Sequence, residues 1–355
     1  MSTAATEHAV WSAGDTTPSD VDAALRRLLS ERHAEDAAFV PARVLNLIAV
    51  VDADWRGEIE NRLERVGRFN PSRTILCSVE RKRTTIDARV SMGAEVGDGG
   101  GIHVGEERVE LWIGEQHLGM LLTIVDPLVV PDLATVAWSP HGYDDAVDSL
   151  VGLAGVVMVD SVQAADARSA IQRSQRLLDS AYVVDLAWLR SAPWRERIAA
   201  TFDPPRWRGA LREITAVTIR HHPDSSVSGA MLLGWLASRL GWEPAPLADE
   251  DGGRVARART AGRKVKLRLE VDETMPVPGL AGIALETASG MKLSLFRGPG
   301  GLTAKRKLPG GKESSWVVVG ASRGEAGILG EGIRQALLRD PTYGPALSAA
   351  CEMLG

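Results

Sequence analysis

The most constraining feature of this sequence is an apolar run between Arg43 and Val51 that is rich in branched side chains. Such a run is typical of a strand buried on both faces, as in a parallel sheet. The segment Asp54–Gly67 then shows an amphipathic helical pattern, and Ser72–Val79 resumes an extended one. Strand, helix and strand within about forty residues predict a crossover unit that joins two parallel strands.

The remainder of the first half extends this sheet. Thr85–Met92 and Glu107–Ile113 alternate as strands do, and we expect an antiparallel pair connected across Gly97–Gly101. Helical patterns then separate a short strand that ends at Trp138 from a buried-type strand at Gly155–Asp160. The first half is therefore predicted to be α/β, with a mixed, mostly parallel sheet and flanking helices.

The pattern changes after residue 180. A strand, Glu213–Arg220, and a helix, Ser226–Leu240, precede several short alternating segments divided by Gly and Pro turns, which indicate an antiparallel sheet. Two helical segments close the chain. Because 355 residues is long for a single core, we predict a flexible tail over 1–18, an N-terminal α/β domain over 19–180 and a smaller C-terminal α+β domain over 181–355.

Composition fits an ordinary soluble globular protein of the cytoplasm. Apolar residues make up 45% and charged residues 25% of the chain, as in typical globular domains. The formal net charge of −5 gives no overall attraction to nucleic acid or anionic lipid. Two cysteines are too few for a disulfide scaffold, and the first residues lack the apolar core of a secretion signal. We therefore expect a cytoplasmic protein that binds neither membranes nor nucleic acid.

The segment Asp185–Phe202 is the leading candidate for a protein interface. It combines two tryptophans with arginines, and Trp188, Arg190, Trp194 and Arg195 are its candidate contact residues. Aromatic and arginine side chains are enriched at the centres of interfaces. The two indoles would point about 120° apart on one continuous helix, and the proline between them can break that helix. The alternative is that both tryptophans pack inside one domain.

Two further positions are weaker candidates for partner contact. Arg73 lies where the second buried strand begins and can present its guanidinium to an anion or a carboxylate; alternatively it pairs with a neighbouring carboxylate of the chain. Trp138 ends a strand and precedes Ser139 and His141. Because ligands bind at the carboxyl ends of parallel strands, a small-ligand crevice at this point is an alternative to partner contact.

The known catalytic motifs give no assignment. No glycine-rich turn has the dinucleotide or P-loop spacing, and no nucleophile elbow or zinc-binding helix is present. His221 and His222 with Asp224 lack a third metal ligand at helical spacing. The arginines between Arg254 and Arg268 suggest nucleic-acid binding, but solvated strand faces explain them more simply. We therefore predict no catalytic, cofactor-binding or metal-binding residues.

Several segments, read in order, resemble one known family. They are Val44–Ile48, Asn70–Thr74, Val130–Leu133 with Trp138, Val159–Ser161, Asp185–Glu196 and Leu233–Trp242. On these segments the chain resembles the glucose-6-phosphate dehydrogenase assembly proteins, called OpcA. The resemblance covers Val44 to Trp242, and the last two segments are its most specific parts.

The resemblance implies a cytoplasmic, non-enzymatic protein that binds glucose-6-phosphate dehydrogenase and promotes its active oligomer in the oxidative pentose phosphate pathway. The nicotinamide cofactor and sugar phosphate then belong to the dehydrogenase, and this chain needs no cofactor. The family's link to thiol-based redox control would require Cys77 and Cys351 to lie close enough to bridge. The rival interpretation is a sugar-phosphate or nucleotide-binding enzyme or sensor that uses Arg73, Ser139 and His141 in the first domain.

Overall fold

The structure is a computed structural model that describes residues 8–37, 39–41, 43–67, 71–95, 104–164, 166–250, 252–298, 301–319 and 324–355. The predicted connection Gly97–Gly101 and the turn residue Asn70 lie outside these ranges. The chain divides into two compact units. The first unit comprises the described parts of Met1–Val159, Ser180–Val184 and Glu325–Leu338, and the second those of Asp160–Asp179, Asp185–Gly324 and Arg339–Gly355. The division into domains at residue 180 stays a prediction.

The described strands and helices are numbered in chain order. The strands are β1 His8–Ala13, β2 Val40–Pro41, β3 Leu45–Asp52, β4 Ser72–Val79, β5 Asp87–Glu95, β6 Val104–Ile113, β7 Ala134–Trp138, β8 Val156–Val159, β9 Tyr182–Asp185, β10 Ile214–His221, β11 Glu243–Pro244, β12 Ala248–Glu250, β13 Gly253–Thr260, β14 Arg263–Val271, β15 Leu280–Thr287, β16 Lys292–Gly298, β17 Gly301–Lys307 and β18 Glu313–Val319. The helices are α1 Pro18–Glu35, α2 Arg56–Gly67, α3 Leu121–Val125, α4 Asp144–Leu150, α5 Ala167–Leu178, α6 Leu186–Arg190, α7 Ala192–Phe202, α8 Pro205–Leu211, α9 Ser226–Leu240, α10 Gly324–Leu338 and α11 Tyr343–Leu354.

The first sheet confirms the predicted α/β class. Its strand order is β1-β5-β6-β4-β3-β7-β8-β9, and β2 pairs with β6. The consecutive strands β6, β4, β3, β7 and β8 pair with one another in parallel, whereas β1 with β5 and β5 with β6 are antiparallel pairs. The first seven residues of β3 are buried, because strands in the middle of a parallel sheet are covered on both faces.

The N-terminal residues differ from the predicted tail over 1–18. His8–Ala13 forms β1, paired with β5, and residues 1–7 lie outside the described part of the chain. Alternation explains the strand, since Ala9 and Trp11 pack against the core while Val10 is exposed. The next helix, α1, is capped by Thr17, whose hydroxyl forms a capping box with Asp20.

The second sheet confirms the predicted α+β class, with one exception to its antiparallel pattern. Its strand order is β11-β13-β14-β10-β15-β16-β17-β18, and β12 pairs with β13. Every pair is antiparallel except β10 with β14. The parallel pair is possible because α9 and the β11–β13 segment separate the two strands along the chain and allow a crossover.

A close contact between α9 and α11 organises the helical layer of the second unit. A Cβ atom at Gly234 would lie 2.2 Å from the carbonyl oxygen of Ala346 and 3.0 Å from the Cβ of Ala350. Gly234 therefore allows the two helices to approach backbone to backbone. This contact gives a physical reason for the glycine within the segment Leu233–Trp242.

Replacing Gly234 by Ala should force α9 and α11 apart. We expect the free energy of unfolding to fall by about 2 to 3 kcal/mol, in the range of overpacked cores. Gly209 on α8 is the matched control, since its added Cβ would meet no atom within 4 Å, and Gly209→Ala should stabilise by about 0.5 kcal/mol. Urea unfolding followed by circular dichroism measures both, and equal effects would contradict the close contact.

Candidate protein interface in the second unit

The segment Asp185–Phe202 folds as two short helices. The carboxylate of Asp185 caps α6 by accepting a hydrogen bond from Ala187 N, which leaves fewer unsatisfied amides at the helix start. Helix α6 ends at Arg190, and α7 begins one residue after Ser191. Pro193 lies in the first turn of α7, where the missing N–H has no helical acceptor. The predicted break therefore occurs, and Trp188 and Trp194 lie on different helices.

Trp188 is at the centre of a buried cluster. Its Nε1 donates a hydrogen bond of 2.8 Å to Asp340 Oδ2. The guanidinium carbon of Arg195 lies 3.4 Å from the centroid of its ring, and the ring of Tyr343 packs 5.6 Å away at 59°. We call Trp188, Arg195, Asp340 and Tyr343 the Trp188 cluster. Only 2% of Trp188 is exposed, so this indole packs inside the unit.

The charges of the Trp188 cluster compensate each other. Arg195 donates to the carbonyl oxygen of Trp188 at 2.7 Å and to Ser191 Oγ, and its Nη2 lies 3.9 Å from Asp340. Burial lowers the pKa of Arg195 to about 10, and the group stays a cation at neutral pH. Burial also raises the pKa of Asp340, but hydrogen bonds from Thr342 and Trp188 outweigh it, and the net pKa is below its ordinary value. A buried cation therefore faces both an indole and a carboxylate.

Asp185 forms a second buried polar network beside this cluster. Its carboxylate accepts hydrogen bonds from Ser161 N and Oγ, from Ala187 N and from the hydroxyl of Tyr343. Burial raises the pKa of Asp185 to about 6, although the bonds from Ser161 oppose the shift. Three separate stretches of the second unit thus meet at one carboxylate.

The other two candidates of the segment have separate partners. Arg190 forms two hydrogen bonds, of 2.8 and 2.7 Å, with both oxygens of Asp160, and 29% of its side chain is exposed. Trp194 is 4% exposed. The structure therefore brings Trp188 and Arg195 together, places Arg190 at the surface and buries Trp194. Direct contact of these four residues with a partner stays a prediction.

Arg73 and Trp138 lie in the first unit. Arg73 donates to the buried carboxylate of Glu107 and to the carbonyl oxygen of Leu128, both at 3.0 Å. Trp138 is 1% exposed at the carboxyl end of β7. Neither side chain offers much surface, because the first is held in an ion pair and the second is part of the core. Their role as partner contacts also stays a prediction.

The residues of the rival ligand crevice are not brought together. Arg73 stands at the start of β4, level with Thr135 of β7 through Asn46, whereas Ser139 follows the end of β7. Four residues of strand separate these levels, about 13 Å. A cavity of about 370 Å³ does adjoin Arg73 and Arg43, but both guanidinium groups donate to Glu107.

Metal and membrane-spanning sites find no support in the described ranges, and Cys77 is not placed to react as a thiolate. No group of three or more His, Cys, Asp or Glu there is placed to hold a metal ion. Likewise, none of the described helices combines the length and apolarity that crossing a bilayer requires. Both cysteines are free thiols. Cys77 is fully buried in β4, and burial raises its pKa to about 12, which disfavours the reactive thiolate.

A second tryptophan and arginine arrangement was missed by the sequence reasoning. The guanidinium of Arg306 on β17 lies 4.4 Å from the ring of Trp207 on α8 and 5.6 Å from that of Trp316 on β18. All three side chains are half-buried. Trp316 is distant in sequence from Trp207, and only the pairing of β17 with β18 brings the residues together. The local signal was Trp207 between Arg206 and Arg208.

Comparison with known proteins identifies the class of protein that has this two-part fold. A family model described as the N-terminal domain of a glucose-6-phosphate dehydrogenase subunit matches residues 63–176. A second model, described as the C-terminal domain of that subunit, matches residues 181–347. The two matches are consecutive and together span most of the chain. The chain belongs to the glucose-6-phosphate dehydrogenase assembly protein family, OpcA.

Curated relatives agree with this assignment. A protein of Synechococcus elongatus named "Putative OxPP cycle protein OpcA" is 32% identical over 181 residues, which are 50% of this chain and 39% of that protein. A protein of the same name from Nostoc punctiforme is 32% identical over 133 residues, 36% of this chain and 29% of that protein. The match therefore covers well under half of the length of these relatives.

Replacing Trp188 by Phe tests the polar part of the Trp188 cluster. Phe keeps a ring beneath Arg195 but removes the N–H that binds Asp340, and we expect a loss of about 2 kcal/mol in the free energy of unfolding. The matched control is Trp55→Phe, because Trp55 is 56% exposed and its loss should change stability by less than about 0.5 kcal/mol. Denaturant unfolding measures both, and a loss at Trp188 no larger than at Trp55 would contradict the bond's role.

The raised pKa of Asp185 predicts a specific pH dependence. A carboxyl group whose folded-state pKa of about 6 exceeds the ordinary 3.8 stabilises the fold below the lower value, and that stabilisation disappears as the pH rises through the higher one. Asp185→Asn lacks this titration. Its cost, measured as the difference in unfolding free energy from the unaltered chain, should be about 2 kcal/mol larger at pH 4 than at pH 7. An equal cost at both pH values would rule out the shift.

Proposed function

We propose that this chain is a non-enzymatic assembly factor that binds glucose-6-phosphate dehydrogenase and favours its active oligomer in the cytoplasm. The single observation that carries the proposal is the ordered pair of matches to the two domains described as those of a glucose-6-phosphate dehydrogenase subunit. The name of the relatives, an OxPP cycle protein, supports a place in the oxidative pentose phosphate pathway. In this proposal the chain provides a binding surface, and the dehydrogenase catalyses the reaction.

The proposed mechanism is a shift of population by differential affinity. A protein that binds the active oligomer more tightly than the inactive form favours the former, by as much as the two affinities differ. A ratio of about a hundredfold corresponds to roughly 2.7 kcal/mol. A rigid binding surface serves this purpose well, because less conformational entropy is lost when it binds.

The segment Asp185–Phe202 has two roles in this proposal. Trp188, Trp194 and Arg195 act from inside by holding α6 and α7 in place, since all three are buried. One contact with the dehydrogenase is made by the exposed side of α7, where Glu196, Ala199 and Ala200 face solvent at helical spacing. Arg190 extends this surface through its partly exposed guanidinium.

Size-exclusion chromatography with light scattering tests the proposal. The samples are this chain, the dehydrogenase of the same organism and their mixture, with dehydrogenase activity measured in each. We expect co-elution, a larger dehydrogenase oligomer and higher activity in the mixture. Independent elution with unchanged activity would refute the proposed function, and so would turnover of a metabolite by this chain alone.

A pair of variants tests the role of α7 separately. Ala200→Arg adds bulk and charge at an exposed helical position and should weaken binding of the dehydrogenase about tenfold, or 1.4 kcal/mol. Ser348→Arg makes a comparable change at an exposed position of α11 and should have no effect. Equal affinity of the two variants would reject α7 as a contact and leave the assembly function standing.

A further inference from the structure

The second sheet has one covered and one open face. On the covered face, Val217 and Ile219 of β10 and Leu267 and Leu269 of β14 are buried, and α9 packs against both strands. The residues between them point the other way, and the cross-strand register carries this alternation from β13 to β18. We call this second surface the open face.

The open face is strongly basic, although the chain as a whole is acidic. Strands β10 and β13 to β18 place nine basic and three acidic side chains on it, and Glu243 of β11 and Glu250 of β12 add two acidic ones, so that its net charge is +4 in a chain whose net charge is −5. The basic residues are Arg220, Arg257, Arg259, Lys264, Lys266, Arg268, Lys292, Lys305 and Lys307, and the acidic ones are Glu243, Glu250, Glu270, Glu286 and Glu313. Positive charge is therefore concentrated on this face of the second sheet.

Some neighbouring charges on the open face repel each other and destabilise the sheet. Three cross-strand pairs join like charges directly: Arg257 with Lys266, Arg259 with Lys264, and Lys292 with Lys307. Opposed like charges destabilise a strand pair. Arg259 pairs with Glu243 and Lys292 with Glu286, and Lys307 lies opposite Glu313. Within the described chain, Arg257, Lys264 and Lys266 form no ion pair. The flank formed by β13 and β14 therefore carries positive charge that the chain does not balance.

The centre of the open face is low and its flanks are raised. Ala216 and Thr218 on β10, Ala284 on β15 and Ser294 on β16 form a floor of small side chains. On one side lie the long basic side chains of β13 and β14, and on the other those of β16 and β17. A partner element can therefore rest on the floor between two rows of cations.

We propose that the open face is a docking surface for a carboxylate-rich surface of the dehydrogenase. This inference rests on the proposed function for the identity of the partner. Carboxylates placed over this face pair with Arg257, Lys264 and Lys266, which form no ion pair in the described part of the chain, and they reduce the repulsion within the like-charged pairs. Complementary charge also speeds the encounter of the two proteins at low salt.

The face fits a protein better than a nucleic acid. Two of its glutamates, Glu270 and Glu286, form ion pairs with Arg268 and Lys292 at 2.7 and 2.6 Å, and they would repel closely packed phosphates. Its one aromatic side chain, Phe296, is covered by the ammonium of Lys305 at 5.4 Å. Single-stranded nucleic acid binders instead expose aromatic rings on which bases stack.

The test is a double charge reversal, Lys264→Glu with Lys266→Glu. Each new carboxylate faces a cation across the sheet, Arg259 or Arg257, so the variant should fold with unchanged or higher stability. Arg212→Glu with Arg239→Glu, at exposed positions outside the face, makes the same change in net charge and is the matched control. Affinity of the full chain for the dehydrogenase is measured at about 50 and 300 mM salt, which changes the screening length.

We expect the reversed face to lose affinity about tenfold at the lower salt concentration and the control to change less than about twofold. The affinity of the unaltered chain should fall more steeply with salt than that of the reversed variant. Equal affinity of the variant and the control would overturn the docking surface alone, whereas no binding by the unaltered chain would overturn the proposed function as well. Loss of binding to a short DNA duplex, without loss of dehydrogenase binding, would reassign the face to nucleic acid.

Discussion

A single buried cation fixes the arrangement of the second unit. Arg195 lies between the ring of Trp188 and the carboxylate of Asp340, and removing this carboxylate would leave a buried guanidinium without its nearest counter-charge, which costs several kcal/mol. The residues of this cluster come from α6, α7 and the stretch around α11. Pairing them therefore fixes where the chain's last helix begins. The close contact of α11 with Gly234 of α9 then completes the helical layer.

This requirement explains the most specific segment of the family resemblance in physical terms. Within Asp185–Glu196, Asp185 collects four hydrogen bonds, Ser191 accepts one from Arg195, and Arg190 holds Asp160. Each polar residue named has an internal partner, and the tryptophans fill the core. A sequence of this kind maintains a rigid scaffold. The side chains available to a partner are the exposed ones between these polar residues and those on the open face of the second sheet. No local sequence motif identifies either set.

The sequence predicted those strands and helices that local side-chain periodicity determines. The predictions of the buried strands β3 and β4, the antiparallel pair β5 and β6, and helix α9 agree with the structure, because each follows from side-chain alternation or helical spacing. The parallel pairing of β10 with β14 was missed, since it joins strands far apart in the chain. The sequence also left undecided whether Trp188 is buried, because its hydrogen-bond partner Asp340 lies 152 residues away. The aromatic stack around Arg306 depends on strand register for the same reason.

The two arginine-rich regions of the second unit show opposite solutions to one electrostatic problem. In the Trp188 cluster a cation is removed from water, and the chain provides an indole and a carboxylate to compensate for it. On the open face the cations stay in water, where solvent and salt weaken their repulsion, and like charges are tolerated at a cost of a fraction of a kcal/mol per pair, on the order of 0.5. The first arrangement is complete within the chain and stabilises it. The second lacks counter-charges for several of its cations until an acidic surface displaces the solvent. This unbalanced charge distinguishes a docking face from a sheet face that only contacts water.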